Sequence, residues 1–359
     1  MSNVTVVMAT YNGAAFISEQ LKSLAAQTTL PCELVVSDDG SSDATVDIVR
    51  RFSEHAPFPV IVRQNERRLD YGENFLSAVS LASGDYIAFS DQDDVWHPDK
   101  IAVSLRELVT TGAELFVHTA AVIDRSGHPV GQFRQGIERK AVHPPLQLAP
   151  WSVFYGCTMM FPRRLLALID VSRRGPHTFE HDGLLSHDLW VYFLATTLGR
   201  VIVDTTPLIS YRQHGGNATP GIIATGVRVW VRSLGIAAHP KLPRAAIAEY
   251  RAQLLDELSR STYDFEISRT ATRAAGYWRT ISGYERGRLD MYSGRTVVSR
   301  ARRCGRLIGL GAYRPFERGG LGRRLLLKDV LVGLLQLRRG NRQSLSQTRR
   351  TGEVGQENG

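Results

Sequence analysis

The chain has 359 residues, of which 43% are hydrophobic and 22% are charged, so its composition is globular and excludes disorder over the whole length. That length allows one large domain or two ordinary ones. The three cysteines, Cys32, Cys157 and Cys304, stand far apart in the sequence. Their spacing argues against a disulfide scaffold and a zinc ribbon, and it favours a reducing compartment.

The net charge of +9 is unevenly distributed. Residues 1–220 hold 18 Lys and Arg against 24 Asp and Glu, whereas residues 221–359 hold 26 against 11. This asymmetry predicts a catalytic or binding domain followed by a basic region. The basic region is either a solvated surface or a contact for an anionic membrane surface. No helix-turn-helix, zinc-finger or RNA-recognition pattern is visible, so we do not expect nucleic acid as a partner.

The first 120 residues alternate between short apolar, β-branched runs and helical patterns. Strands are predicted at residues 5–8, 33–37, 59–62 and 85–90, and helices at 16–25, 42–52, 74–82 and from Pro98 onward. This alternation predicts an α/β fold with a mostly parallel, Rossmann-like sheet that helices cover on both faces.

The pattern is weaker beyond residue 120. A strand is predicted at residues 114–123, a helix at 186–198, a strand at 200–204 and a helix from 242 to about 266. We expect a catalytic domain over residues 1–220, a basic and mainly helical region over 221–340, and a disordered tail over 341–359.

The sequence also gives expectations about location. The N-terminus has no basic leader, and no apolar run approaches the roughly 20 residues of a membrane span. We therefore expect a cytoplasmic protein that is not integral to a membrane. Peripheral association with the inner face of the cell membrane is a further hypothesis, which rests on the basic region.

Polar and acidic residues follow three of the predicted strands: Thr10-Tyr11-Asn12, Asp38-Asp39 and Asp91-Gln92-Asp93-Asp94. In an open parallel sheet, ligands bind at the carboxyl ends of the strands. Clustered carboxylates repel one another unless a cation binds them, and hard oxygen ligands suit Mn²⁺ or Mg²⁺. Taken alone, Asp38-Asp39 is also a good turn signal, and the second acidic run could be a solvated loop.

Three motifs together resemble glycosyltransferase family 2, the inverting nucleotide-sugar transferases of the GT-A fold. They are VTVVMATYNG at residues 4–13, SDDGSSD at 37–43 and SGDYIAFSDQDDVW at 83–96. The DQDDVW version is similar to members described as rhamnosyltransferases. The resemblance covers roughly residues 3–215, and its strongest part is the first 110 residues.

The resemblance implies a nucleotide site. Thr10 and Tyr11 would lie beside the base, and Asp39 would accept a hydrogen bond from the pyrimidine N–H. Asp91 would face the ribose or the donor. The donor would be a deoxythymidine- or uridine-diphosphate sugar, with rhamnose as the best single guess.

The resemblance also implies a metal site for Mn²⁺ or Mg²⁺. Asp93 would ligate the ion, and Asp94 is a neighbouring candidate. His214 would complete the metal shell or contact the diphosphate, unless it is an exposed loop histidine. Arg212 could instead neutralise the diphosphate.

Family members carry a later acidic pair whose second residue is the catalytic base. Asp188 matches that base, and His187 stands where glutamate is usual, so the role of position 187 stays open. A helix-start cap is the structural alternative for this pair. His181-Asp182 is a rival pair just upstream.

These observations favour an inverting, metal-dependent glycosyltransferase that acts on a hydroxyl of a glycan or lipid-linked acceptor in surface polysaccharide synthesis. One alternative is a nucleotide-sugar-binding protein without catalysis, and another is a polysaccharide synthase subunit. A sugar-phosphate nucleotidyltransferase fits less well, because the first strand is not followed by a glycine-rich basic loop.

Overall fold

The structure is a computed structural model that describes residues 3–179, 183–215 and 242–334. Its strands are β1 (Val4–Thr10), β2 (Glu33–Asp38), β3 (Val60–Gln64), β4 (Tyr86–Ser90), β5 (Val95–Trp96), β6 (Leu115–Ile123), β7 (Pro129–Phe133), β8 (Ala141–His143), β9 (Met159–Pro162) and β10 (Val201–Arg212). Its helices are α1 (Ile17–Ala25), α2 (Thr45–Ser53), α3 (Tyr71–Val79), α4 (Lys100–Thr111), α5 (His187–Leu198), α6 (Leu242–Ser261), α7 (Phe265–Tyr292), α8 (Val297–Gly309) and α9 (Arg323–Lys328). A π-helical segment, Asp329–Leu334, follows α9.

The strands form one ten-stranded sheet in the order β3-β2-β1-β4-β9-β6-β10-β5, with β7 beside β6 and β8 beside β10. β1, β2, β3, β4, β6 and β10 run in the same direction, so the predicted mostly parallel sheet is confirmed. β9 is antiparallel and lies between β4 and β6. The sequence did not predict β5, β7, β8 and β9, because runs of two to five residues carry little periodicity.

Two element boundaries differ from the sequence-based prediction for an identifiable reason. α3 begins at Tyr71, three residues earlier than predicted, because the Asp70 carboxylate accepts a hydrogen bond from the Tyr71 N–H at 2.6 Å. The helix predicted from residue 242 to about 266 is two helices. α7 begins anew because the Asp264 side chain accepts hydrogen bonds from the N–H groups of Glu266 and Ile267.

Each face of the sheet is covered by its own apolar core. Val6 and Met8 of β1 face one core, to which α1, α2 and α4 contribute, whereas Val7 between them faces the other. The second core contains residues of α3, α5, α6 and α7. Alternation along β1 therefore fixes the register of the sheet between the two helical layers.

The C-terminal helices pack on the sheet domain through aromatic residues. Trp278 of α7 lies 5.7 Å from the Phe193 ring of α5 and 5.5 Å from the Trp151 ring. Arg251 of α6 is buried among these rings, 4.5 Å from the Trp278 ring centroid. The predicted boundaries at residues 220 and 340, and the predicted tail, lie outside the described residues.

No helix in residues 3–179, 183–215 and 242–334 is both long enough and apolar enough to cross a membrane.

A buried ion-pair network joins α7 to the segment after α9. Arg288 donates to both carboxylate oxygens of Asp329, at 2.7 and 2.9 Å. Tyr292 and Tyr313 also donate to that carboxylate, and Arg288 pairs with Glu285 at 2.6 Å. Both carboxylate oxygens of Asp329 therefore have two partners each in a region that excludes water.

We predict that Asp329→Asn lowers the free energy of unfolding by about 3–5 kcal/mol, because it removes the carboxylate that accepts two hydrogen bonds from buried Arg288 and leaves Glu285 as the remaining charge partner. Chemical denaturation monitored by circular dichroism measures the change. Glu266→Gln, which breaks the exposed pair with Arg269, is the control and should change stability by less than about 1 kcal/mol. Equal effects of the two substitutions would contradict the prediction.

Candidate functional site

The carboxyl ends of β1, β2 and β4 meet at one edge of the sheet. β1 lies between β2 and β4, and Thr10 is in register with Asp38. Thr10 is buried, and its Oγ1 donates to Oδ2 of Asp38 at 2.8 Å. Ser90, the last residue of β4, pairs with Met8 of β1. The acidic loop, Asp91-Gln92-Asp93-Asp94, therefore starts beside the end of β1. We call this edge, formed by the loops after β1, β2 and β4, the acidic rim.

Asp39 is held at the acidic rim by the segment that follows β3. Its Oδ1 accepts hydrogen bonds from Asn65 Nδ2 at 2.9 Å and from the Leu69 N–H at 2.8 Å. Its Oδ2 accepts one from the Asp70 N–H at 3.1 Å, which leaves that oxygen a further lone pair. The sequence did not predict this supporting segment, although an asparagine just after a strand is a usable signal.

Gln92 joins the first and third loops of the acidic rim. Its Oε1 accepts a hydrogen bond from the Tyr11 N–H at 3.0 Å, and its Nε2 donates to the Tyr11 carbonyl at 3.1 Å. A Cβ at Gly13 would lie 2.2 Å from Gln92 Oε1, so a larger residue there would displace the Gln92 side chain from its contacts with Tyr11. Tyr11 is 40% exposed, and the Arg68 guanidinium lies 4.1 Å from its ring centroid, over one face.

Asp93 and His214 are in direct contact although 121 residues separate them in the sequence. His214 Nε2 lies 2.7 Å from Asp93 Oδ2, and the imidazole stacks on Phe16 with ring centroids 4.7 Å apart. The two residues that the family resemblance implied as metal ligands therefore meet at the acidic rim. A carboxylate and an imidazole are donors that suit Mn²⁺, and the carboxylate alone suits Mg²⁺.

Arg212 lies behind the acidic loop and supports it. It is only 2% exposed, its Nε donates to the Asp93 carbonyl at 2.9 Å, and its Nη2 pairs with Glu19 at 2.5 Å. Its backbone N–H donates to Oδ1 of Asp94 at 3.1 Å. This placement favours a positioning role for Arg212 over direct contact with a diphosphate.

In the acidic loop, Asp94 is fully buried and Asp91 is half-buried. Burial and the nearby Asp93 raise the pKa of Asp91 to about 7, and the same causes raise that of Asp94 well above its usual range. Asp94 Oδ2 is buried without a hydrogen-bond partner. One ligand atom each from Asp91, Asp94 and Cys157 lies within 4.8 Å of the others. The donors are two carboxylates and a thiol; the two carboxylate oxygens suit a divalent cation, and either protonation or a positive charge relieves their crowding.

Lys100 supplies one such charge from inside the protein. Its side chain is fully buried at the start of α4, and its Nζ donates to the Cys157 carbonyl at 2.5 Å. The same Nζ lies 3.7 Å from the Trp96 ring centroid. Burial lowers its pKa to about 8, although the charges of Cys157, Asp94 and Asp91 oppose that shift. The sequence did not predict this buried charge, because a lysine at a helix start usually lies in solvent.

Asp188 lies in the first turn of α5 and faces the acidic rim. Its Oδ1 accepts hydrogen bonds from Ser186 Oγ at 2.5 Å and from the Leu189 N–H at 2.8 Å. Its Oδ2 accepts none from residues 3–179, 183–215 or 242–334. The charge of Asp188 contributes to the raised pKa of Asp91, which places these two carboxylates within interaction range. The rival Asp182 lies outside the described residues.

His187 points away from the acidic rim into the core. The ring is 6% exposed and stacks on Phe75 at 4.1 Å, with its edge toward Phe89 at 4.9 Å. Burial lowers its pKa, so the imidazole is neutral at physiological pH. A Cβ at Gly156 would lie 2.4 Å from its Nε2. His187 therefore packs beneath the base candidate, and this packing explains why a histidine can stand where glutamate is usual.

The raised pKa of Asp91 predicts how stability changes with pH. The folded value of about 7 exceeds the unfolded value of about 3.9, so the folded protein binds an extra proton between these values. Stability therefore falls as the pH rises from about 4 to about 7, and it levels off once the folded protein has lost that proton. We expect the melting temperature of the metal-free protein to fall between about pH 5 and about pH 7, with little further loss above about pH 8, and to fall less in Asp91→Asn.

Differential scanning fluorimetry measures this slope. Asp47→Asn, at an exposed carboxylate on α2, is the control and should keep the wild-type slope. An Asp91→Asn slope equal to that of the control would contradict the assignment.

Comparison with known proteins places this site in a family. A family model described as glycosyl transferase family 2 matches residues 5–169. A dTDP-rhamnosyl transferase of Shigella flexneri is 30% identical over 220 residues, which are 58% of this chain and 72% of the relative. An uncharacterized protein of Mycobacterium tuberculosis is 34% identical over 242 residues, 66% of each chain.

A solved structure supports the fold. S. aureus TarS 1–349 in complex with UDP-GlcNAc superposes with a TM-score of 0.51 at 19% identity, covering 88% of this chain and 90% of that one. At 19% identity, this similarity supports the GT-A type of fold and nothing about activity. Together with the family model and the Shigella relative, it gives one conclusion: the chain belongs to glycosyltransferase family 2 and is a glycosyltransferase.

Proposed function

We propose that the protein transfers a sugar from a nucleoside-diphosphate sugar to a hydroxyl of a glycan or lipid-linked acceptor, with inversion and with a divalent cation, in surface polysaccharide synthesis. The observation that carries the proposal is that Asp93, in contact with His214, and Asp188 both lie close enough to Asp91 for their charges to act on it. Rhamnose is the favoured sugar, because the relative from Shigella flexneri is a dTDP-rhamnosyl transferase.

Asp188 is the proposed catalytic base. One carboxylate oxygen is held by Ser186 and the Leu189 N–H, which leaves the other to accept the proton of the acceptor hydroxyl. The deprotonated oxygen then attacks the anomeric carbon from the face opposite the diphosphate, and that single displacement inverts the configuration.

The donor is proposed to lie along the loops after β1, β2 and β4. Thr10 and Tyr11 line the base, with the exposed Tyr11 ring as a stacking surface, and Asp39 has a free lone pair for the pyrimidine N–H. Asp91 faces the ribose or the sugar. When bound, a divalent cation neutralises the charge that develops on the leaving diphosphate, and Asp93 and His214 would hold it, with Asp94 behind them.

A nucleotide-sugar-binding protein without catalysis is the main alternative, and a polysaccharide synthase subunit is another. The free Oδ2 of Asp188 favours a catalyst, because a binding protein has no use for a base on the acceptor side. The absence of a membrane-spanning helix in the described residues removes one feature that would favour a synthase.

We expect Asp188→Asn to lower transfer by about 10²–10⁴-fold while the donor dissociation constant changes little, because the amide keeps the size of the side chain but cannot accept the proton. Single-turnover assays measure transfer, and isothermal titration calorimetry measures donor binding. Asp290→Asn, at an exposed carboxylate of α7, is the matched control. Wild-type turnover in Asp188→Asn would contradict the assignment.

A panel of nucleotide sugars tests the donor and the metal together. With Mn²⁺ we expect nucleoside diphosphate release to be fastest with dTDP-rhamnose, and a chelator should abolish it. Asp93→Asn should weaken Mn²⁺ binding by an order of magnitude or more, as titration calorimetry measures. Undiminished turnover in chelator would remove the metal from the proposal without affecting the role of Asp188.

A further inference from the structure

The outward side of α8 carries aliphatic residues and arginines side by side. Arg300, Cys304 and Leu307 are the buried residues of this helix and face the protein. Val298 and Arg302 recur four residues apart on the opposite side, and both are exposed. We call the exposed surface formed by Val298, Arg302, Arg306, Ile308 and Leu310 the α8 face. It extends along the full 13 residues of α8, about 20 Å.

The apolar side chains of the α8 face project into solvent. Val298 is 69% exposed, Ile308 51% and Leu310 58%. Ile308 and Leu310 stand on either side of Gly309, where α8 ends and the chain turns through Gly311 at a φ of +84°. Ile308 and Leu310 therefore place two exposed aliphatic side chains at the end of a helix whose exposed polar neighbours are arginines.

The surroundings of the α8 face are strongly basic. Residues 295–328 contain ten Lys and Arg and a single acidic residue, Glu317. Six arginines of this stretch are exposed, and none of the six makes an ion pair with another residue of the described part of the chain. They are Arg302, Arg306, Arg314, Arg318, Arg323 and Arg324. The positive charge is therefore available to an external partner.

The α8 face is held rigidly. Arg300 donates to the Leu334 carbonyl at 3.1 Å and to the Gly294 carbonyl at 2.9 Å, which fixes α8 against the segment after α9. Asp329, in that segment, is in turn bound by Arg288. The backbone of α8 is thus fixed before binding, so only the exposed side chains have to be ordered when a partner binds.

We propose that the α8 face docks the enzyme on an anionic lipid bilayer. Arginines at this surface would lie among the lipid headgroups, each contributing favourable electrostatic energy. Val298, Ile308 and Leu310 would enter the boundary between headgroups and acyl chains, as the apolar side of an interfacial helix does. A nucleic acid would satisfy the arginines but would leave these aliphatic side chains in water, so the bilayer is the better match.

Vesicle flotation with the full chain tests this surface. We expect binding to vesicles that contain phosphatidylglycerol, weak binding to vesicles of phosphatidylcholine alone, and loss of binding at high salt. The double variant Ile308→Ser with Leu310→Ser should lower the partition coefficient about tenfold or more. Arg302→Gln with Arg306→Gln should have a comparable effect.

Two matched controls separate the α8 face from general surface effects. Val109→Ser removes an aliphatic side chain that is 57% exposed on α4 and should leave binding unchanged. Arg51→Gln with Arg106→Gln removes two charges elsewhere and should have a smaller effect than the pair on α8. Melting temperatures establish that each variant is folded.

Docking and catalysis are separable, although the use of a lipid-linked acceptor rests on the proposed function. Asp188→Asn should bind vesicles as the wild type does, and the Ile308/Leu310 variant should keep its rate of nucleoside diphosphate release in solution. No binding to either vesicle, or equal binding by the wild type and both double variants, would overturn the proposal. Salt-sensitive binding to RNA or DNA without vesicle binding would overturn it as well.

Discussion

Repulsion among carboxylates at one edge of the sheet is the constraint on which the site depends. The strand order puts the ends of β2 and β4 on either side of β1 at this edge. The crowding lies in the loop after β4, where Asp94 is buried and Asp91 is half-buried, and where burial and the charge of Asp93 raise the pKa of both carboxyl groups. Either protonation of these groups or a nearby positive charge relieves that repulsion.

The protein supplies part of that positive charge itself. Lys100 lies below the acidic loop on the Cys157 carbonyl, and Arg212 lies behind it on the Asp93 carbonyl. Each of them is fixed through a backbone carbonyl, so the charges support the loop without occupying Asp93 Oδ2. That oxygen contacts His214 instead, in a pair whose side chains are 14% and 12% exposed. Lys100 and Arg212 thus hold the surroundings of the loop, and the Asp93–His214 pair stays the proposed metal site.

Much of this arrangement could be predicted from the sequence. Each strand can be recognised locally, and parallel strands bring the residues that follow them to the same edge of the sheet. The ends of β1, β2 and β4 are visible as apolar runs that stop at Thr10, Asp38 and Asp91. No local pattern links Asp93 to His214, which lies 121 residues away. Only the family resemblance, which implied that both residues are metal ligands, suggested that they lie close together. The roles that the resemblance gave to these residues stay predictions.

Other features depend on tertiary structure and could not be read from local patterns. Lys100 looks like an ordinary helix-start residue, and only its burial identifies it as a counter-charge. The hydrogen bonds from Leu69 and Asp70 to Asp39 depend on where the segment after β3 folds back. β9 has four residues, and its place in the sheet is set by its neighbours β4 and β6 rather than by its own periodicity. His187 could be placed only once Phe75 and Phe89 were seen around it.

The most direct measurement is a crystal structure with Mn²⁺ and a nucleoside diphosphate, in which anomalous scattering locates the ion. The account predicts one manganese peak within coordination distance of Asp93 and His214, a diphosphate on its outer side, and Asp188 across the cleft with an oxygen turned toward the space left for the sugar. A peak at a distance from Asp93, or a diphosphate bound on the same side as Asp188, would contradict it.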